Sequence, residues 1–217
     1  MELIILGTTI YSATTRKILE KEGIKVIGYS TYRDYLKEEE YEGLPVYPFE
    51  DLNFIFGTDK FMVINTIGYS NMNKIREKVY YDIKRKGYQL YTFISKNASV
   101  YTDDIGEGSL IMPNAYIGPY VKLGVCCVVN PGTQLSHHIS MGNFNFIGRG
   151  VIVGGDVEIC NNCFIGLHST IKNKIKISDY TIVGSGSNVI KSTEENCVYV
   201  GNPAKKLEGK ESLNTKI

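Results

Sequence analysis

From Ile105 to Val189 every sixth residue is aliphatic or methionine, without a gap: Ile105, Ile111, Ile117, Leu123, Val129, Leu135, Met141, Ile147, and onward to Ile177, Val183 and Val189. The next position is often glycine, as at Gly106, Gly118, Gly124, Gly142, Gly148, Gly154, Gly166 and Gly184. The fourth position after each aliphatic residue is mostly small or β-branched, as at Ser109, Ala115, Cys127, Thr133, Cys163 and Ser187. A period of six fits neither a helix nor an alternating strand. It predicts a three-sided coil with one short strand per side. The aliphatic residue points inward, and the small residue fills the space that remains. The glycine is expected to supply the backbone conformation that a corner needs. Three hexads make one coil, so the run predicts about five stacked coils.

The first 95 residues follow another pattern. Apolar runs at residues 2–6, 24–29, 61–65 and 88–93 read as strands. Helical stretches at about 11–22 and 71–86 close at Gly23 and Gly87. Alternating strands and helices predict a small parallel α/β sheet. Ligands of such sheets sit beyond the C-terminal strand ends, where helix N-termini attract phosphate. Gly7-Thr8-Thr9 and Gly68-Tyr69-Ser70-Asn71 are the loops at those places, and plain turns are the competing reading. The chain thus divides into 1–95 and 96–217.

Charge adds an exclusion. Charged residues make up 22% of the 217 and nearly cancel, leaving +1, which gives no electrostatic case for nucleic acid or an anionic membrane. No apolar run approaches the ~18 residues that span a bilayer. Five cysteines do not suggest a disulfide framework, and a reducing cytoplasm is the expected compartment. Cys160-Asn161-Asn162-Cys163 is a single CxxC at repeat positions that favour small residues, so packing is expected there and no metal.

The whole chain resembles the NeuD/PglD-type sugar acyltransferases. The likeness is carried by GLPVYPFEDL at 43–52, IGYSNMNKIREKVY at 67–80, KGYQLYTFIS at 86–95, the hexads, and VYVGNPAKKL at 198–207. The resemblance implies a Rossmann-like N-terminal domain that binds a nucleotide-linked sugar, followed by a left-handed parallel β-helix. It also implies a homotrimer with acetyl-CoA in the groove between neighbouring prisms. Members acetylate an amino group, often at C4 of a 4-amino-4,6-dideoxy sugar, or a hydroxyl. A silent scaffold or sugar sensor is the reading from another class.

The chemistry converges on histidine. Only His137, His138 and His168 are present. Acyl transfer from a thioester needs a base for the attacking group, and imidazole suits that task. The resemblance places His137 at the catalytic position. Relatives often follow it with Asp or Glu; here His138 follows, and Asp156 is one candidate to hold the ring. Residues eighteen apart stack on adjacent coils, so Gly155 lies one coil from His137. With Gly154 it leaves the main chain bare, and its N–H is a candidate oxyanion donor; a turn-forming role is the rival reading. His168, thirty-one residues from His137, falls on a different side. The adenosine end of CoA is expected near Gly184, Gly186 and the cations Lys205 and Lys206.

Overall fold

A computed structural model describes residues 2–57 and 60–216. It separates into two compact units, one formed by Met1–Gly68 and Arg76–Thr92, the other by Tyr69–Ile75 and Phe93–Ile217.

The first unit contains β1 (Glu2–Leu6), α1 (Ile10–Lys21), β2 (Val26–Thr31), β3 (Glu40–Tyr41), β4 (Leu44–Pro48), α2 (Leu52–Phe56), β5 (Phe61–Asn65), most of α3 (Lys74–Arg85) and β6 (Gln89–Leu90). The sheet order is β3-β4-β2-β1-β5-β6. β3 is antiparallel to β4 at the edge, and the other neighbours are parallel. From β1 the chain builds outward through β2 and β4, then returns to place β5 on the other flank of β1. That reversal opens a crevice beyond the ends of β1 and β5. Ile4, Leu6, Val63 and Ile83 form the core with Phe49, Phe61 and Tyr88.

Three boundaries differ from expectation. The second strand runs Val26–Thr31 where 24–29 was expected. α3 begins at Lys74, because Asn71, Met72 and Asn73 all hold left-handed φ values of 51°, 48° and 62° and no right-handed helix passes through them. The last strand is only Gln89–Leu90, and Phe93–Ile94 already pairs with the second unit's Leu110–Ile111.

The second unit is a three-sided coil of two-residue strands. The first side runs from Phe93–Ile94 through Leu110–Ile111 to Ile182–Val183, the second from Ser99–Val100 to Asn188–Val189, and the third from Lys122–Leu123 to Lys176–Ile177. Pairing is parallel at a spacing of eighteen, as in Ile117 with Leu135 and Leu135 with Val153. The inner column, from Ile111 to Val189, is buried throughout. The coil starts before the expected Ile105, at Phe93. By register Ile94, exposed at the open end, and Val100 continue the inner column six residues apart, but Val100 and Ile105 are five apart, and that slip hides the earlier strands from a period of six. At the far end Cys197–Gly201 continues the first side, and Ala204–Glu211 folds back antiparallel to it.

The corners correct the reading of the glycines. The left-handed residue is the third after each inner aliphatic: Asn114, Tyr120, Cys126, His138, Phe144, Asp156, Asn162, His168, Lys174 and Tyr180 all have φ between 49° and 61°. The glycine beside the inner residue answers a different need. At Gly118 a Cβ would collide with the Ser136 carbonyl of the next coil, and at Gly148 it would lie 2.8 Å from the Ile165 carbonyl oxygen. These glycines allow close stacking. Elsewhere side chains tie the coils: Asn143 Oδ1 accepts from the Val125 amide (3.0 Å), Asn161 Oδ1 from Asn143 (2.8 Å), and Asp179 Oδ1 from Asn161 (2.6 Å).

The three outer faces differ. The first is apolar and covered, with Leu110, Val128, Ile182 and Val198 buried. Residues 69–75 of the same unit lie against it: the Tyr69 ring is 5.0 Å from Phe146 and 4.7 Å from Phe164, and Asn73 Nδ2 donates to the Cys163 carbonyl (3.1 Å). The third face presents Lys122, Ser140, Glu158 and Lys176 to solvent. No helix among the described residues is long and apolar enough to cross a membrane.

Candidate active site

Buried Leu135 and Ile139 anchor the segment between them to the prism interior, so His137 and His138 ride on the corner between the second and third sides. His138 is the left-handed residue of that corner, with φ 55°. Both rings are exposed in the single chain. Their Nδ1 atoms are 3.1 Å apart, and their planes cross at 85°. The His138 ring lies on Tyr120, one coil back, with centroids 4.6 Å apart and planes at 33°.

Gly155 meets His137 as the spacing of eighteen requires. The His137 ring lies over it so closely that a Cβ at 155 would sit 2.6 Å from Nε2. Backbone bonds lock the stack: His138 N–H donates to the Pro119 carbonyl (3.1 Å), and Asp156 N–H to the His137 carbonyl (3.0 Å). The Gly155 amide makes no hydrogen bond among the described residues. The amides of His137 and Asn173 in the same column are also open, so an open N–H belongs to this corner generally. What distinguishes 155 is the missing side chain. Gly154 serves differently: a Cβ there would lie 2.6 Å from the Asn173 amide nitrogen, a stacking constraint. An imidazole and an amide with no hydrogen-bond partner among the described residues share one corner, the amide of a residue buried beneath the ring. The pair can accept a proton and, with the ring displaced, stabilise an oxyanion.

A groove of about 460 Å³ runs from His138 along the third side, lined by Ser140, Asp156, Glu158, Lys174 and Lys176 among others. The Lys176 ammonium, 2.8 Å from Glu158, holds that carboxyl below its usual range. The spacing that located Gly155 also yields Asp156 and Lys174 from His138, and the lysine went unnoticed in the sequence. Cys163 is fully buried, and burial pushes its thiol well up, so it is no nucleophile.

The other candidates lie elsewhere. His168 occupies the corner between the first and second sides, φ 52°, its ring over Gly150 one coil back. Gly186 is the next left-handed residue of that same corner, φ 70°. A Cβ at Gly184 would lie 2.7 Å from Val200 Cγ1, so this glycine also stacks. Lys205 and Lys206 sit in the returning strand, paired with Val200 and Tyr199. Lys206 Nζ is 2.7 Å from Glu194 Oε2, which favours its protonated form and partly neutralises it. Within one chain these groups do not join His137.

In the first unit, Gly7 has φ 115°, and a Cβ there would lie 2.9 Å from Ser12 Oγ, so only glycine fits. Thr9 caps α1 in a reciprocal capping box with Ser12. Thr8, with Thr31, Tyr35 and Tyr41 among others, lines a cavity of about 190 Å³ beyond the ends of β1 and β2. Gly68 lies beyond the end of β5, and its carbonyl accepts from the buried Arg76 guanidinium (3.3 Å). Ser70 and Asn71 are exposed, whereas the Tyr69 ring is committed to Phe146 and Phe164.

No family model matches the chain. Among curated proteins it is similar to the bifunctional protein GlmU of Listeria monocytogenes, 28% identical over 129 residues, covering 48% of this chain and 28% of that protein. GlmU of Clostridium botulinum is 26% identical over 130 residues, covering 49% and 28%. The chain therefore spans less than a third of those relatives' length. Solved structures match almost end to end. The acetyltransferase domain of PglB from Neisseria gonorrhoeae is 20% identical, covering 95% of this chain and 99% of that one, with TM-score 0.85. PerB from Caulobacter crescentus, solved with CoA and GDP-perosamine, is 21% identical, covering 95% and 97%, TM-score 0.84. WeeI from Acinetobacter baumannii is 24% identical, covering 95% and 100%, TM-score 0.84. The NeuD/PglD-type likeness read in the sequence thus extends to the fold, which this chain shares with these proteins.

Proposed function

We propose that the chain is an acetyl-CoA-dependent N-acetyltransferase of the NeuD/PglD type. Its acceptor is a nucleotide-linked amino sugar, a 4-amino-4,6-dideoxy sugar by preference, destined for a bacterial surface glycan such as lipopolysaccharide. The observation that carries this reading is the His137 ring lying on bare Gly155. His137 Nε2 takes the proton as the amine attacks the thioester carbon. The Gly155 N–H receives the developing oxyanion, a contribution typically worth ~3 kcal/mol. The CoA sulfur leaves and recovers the proton from the imidazolium, so transfer is direct and no acyl-enzyme forms.

The rest of the proposal follows from the same reading. The first unit is Rossmann-like and holds the nucleotide at Gly7, Thr8 and Thr9; the loop Gly68, Tyr69, Ser70 and Asn71 is a separate substrate-binding candidate of the same reading. The prism is left-handed. Three cytoplasmic chains assemble, and CoA lies between two prisms with its phosphates toward Gly184, Gly186, Lys205 and Lys206 of a neighbour. That arrangement reconciles a donor site on one corner with a base on another. A stable monomer of 24.3 kDa by light scattering would remove it. The direct test is thiol release from acetyl-CoA with matched amino and hydroxy nucleotide sugars. Release with the amino sugars, cut ~100-fold or more in His137→Asn, is the expected result. Release only with hydroxy sugars would make the chain an O-acetyltransferase, and no release with any would sink the reading.

A further inference from the structure

Two imidazoles cannot both donate to each other. The Nδ1 atoms of His137 and His138 are 3.1 Å apart, so in the neutral pair one Nδ1 carries the hydrogen and the other accepts it. The tautomers are therefore tied. The ring that donates from Nδ1 has a free lone pair on Nε2, and the ring that accepts carries its hydrogen on Nε2. Only one Nε2 of the pair is a base at a time.

We infer that His138 is a positioning residue: its Nδ1 accepts from His137 Nδ1–H and holds His137 in the tautomer whose Nε2 is free. The inference rests on the acyltransferase reading for its purpose, though its geometry is independent of it. Three observations set the direction. The part of the His137 ring nearest a Cβ at 155 is Cε1, then Nε2 (2.6 Å), while Nδ1 (2.9 Å) is the atom engaged by His138. The His138 ring is held by stacking on Tyr120 and by a left-handed backbone whose N–H is bound to the Pro119 carbonyl. His138 also lines the groove that holds Asp156 and Glu158, whose carboxylates are the acceptors in that groove. Lys174 and Lys176 line the groove too, and Lys176 is engaged by Glu158.

The arrangement bears on the chemistry. When His137 takes the acceptor's proton on Nε2, its Nδ1–H becomes a charge-assisted donor to His138. The bond strengthens as positive charge develops, and the proton then leaves from Nε2 to the CoA sulfur. His138 ends the cycle as it began. It does the work of an orienting carboxylate without adding a negative charge.

The test uses substitutions that a left-handed corner accepts. Asparagine tolerates φ near 55° and carries an acceptor oxygen close to where Nδ1 lies. His138→Ala should lower kcat about tenfold, with KM for both substrates little changed, and His138→Asn should recover most of the loss. Nitrogen-15 spectra of histidine-labelled protein at about pH 8, where imidazole is neutral, should show His137 protonated on Nδ1 in the wild type and as a mixture of tautomers in His138→Ala. The spectra need no turnover. If no sugar is acetylated but the tautomer still depends on residue 138, the proposed activity fails and the pairing stands. Wild-type kcat in His138→Ala, equal losses in the alanine and asparagine variants, or His137 protonated on Nε2 in the wild type would each overturn the inference.

Discussion

The prism and the α/β unit are built from chains of similar hydrophobic character, yet they constrain their residues in opposite ways. In the prism each position is repeated eighteen residues on, so a residue's surroundings are copies of its own segment. Gly118 faces Ser136, Gly148 faces the Ile165 carbonyl, and His137 faces Gly155. In the α/β unit contacts are particular to each residue, as where the Gly68 carbonyl meets buried Arg76 or Thr66 Oγ1 donates to Ser12 Oγ (2.9 Å). Repetition makes the prism's exceptions visible. The α/β unit has no internal standard against which an exception shows.

The largest effect that tests this contrast is on stability. A methyl at Gly118 would meet backbone of the next coil, which has strands locked above and below it and little freedom to yield. Gly118→Ala should cost about 3 kcal/mol or more. At Gly23, which ends α1 with φ 84° and open space around it, only the left-handed penalty remains. Gly23→Ala should cost only ~1 kcal/mol. Denaturant midpoints of the two variants measure the difference, and equal losses would break the comparison.

This contrast also explains what could be read in advance. The inner column from Ile105 to Val189 was legible because burial on one side of every strand imposes the period. The start at Phe93 was hidden by one five-residue step between Val100 and Ile105. Corner conformation was not legible at all. Tyr120, Phe144 and Tyr180 hold φ values that such bulky residues rarely adopt, and only the stacked coils on either side enforce them. The helix expected at 71–86 began three residues late for the same reason, a left-handed run at Asn71, Met72 and Asn73. β3, β4 and α2 were not foreseen, since two of the strand positions in β4 are prolines. The site divides along the same line. Gly155 beside His137 followed from arithmetic, whereas the pairing of Lys206 with Glu194 depends on the non-repeating tail and had no signal.

A smaller effect sharpens the comparison inside the prism. Gly154 and Gly155 are neighbours with different constraints. A methyl at 154 meets the Asn173 backbone, and a methyl at 155 meets the movable ring of His137. Gly154→Ala should therefore lower stability and leave kcat of the folded protein little changed. Gly155→Ala should fold normally, displace the ring and lower kcat about tenfold, equivalent to ~1.4 kcal/mol. Urea titration together with thiol-release kinetics separates the two. Unchanged kcat in Gly155→Ala would detach the glycine from the chemistry and leave it a turn residue.

The smallest effect belongs to the α/β unit and concerns a cluster with no counterpart in the repeat. Asp82 Oδ2 accepts from the Tyr32 hydroxyl and from Lys78 Nζ, each at 2.6 Å, and Arg85 Nη1 lies 3.2 Å from Oδ1. Burial alone would raise the Asp82 pKa, but the donors from Lys78 and Tyr32, with the charges of Lys78 and Arg85, outweigh it and the net shift is downward. Lys78 also lies over the Tyr32 ring, 4.8 Å from its centroid. A carboxyl whose pKa is lower in the folded chain than in the unfolded one stabilises the fold above the unfolded value, and loses that contribution as pH falls through the folded value. The pair partners are exposed, with Lys78 and Arg85 side chains 68% and 77% accessible, so screening keeps the contribution small. Asp82→Asn should cost ~1 kcal/mol at neutral pH, and less in added salt. The gap between variant and wild type should close on acidification below the ordinary carboxylate range, because the wild-type carboxyl then becomes neutral too. Chemical denaturation at a series of pH values follows that gap. A difference that persists unchanged into acid would mean that Asp82 acts through shape and hydrogen bonding alone, with no part played by its charge.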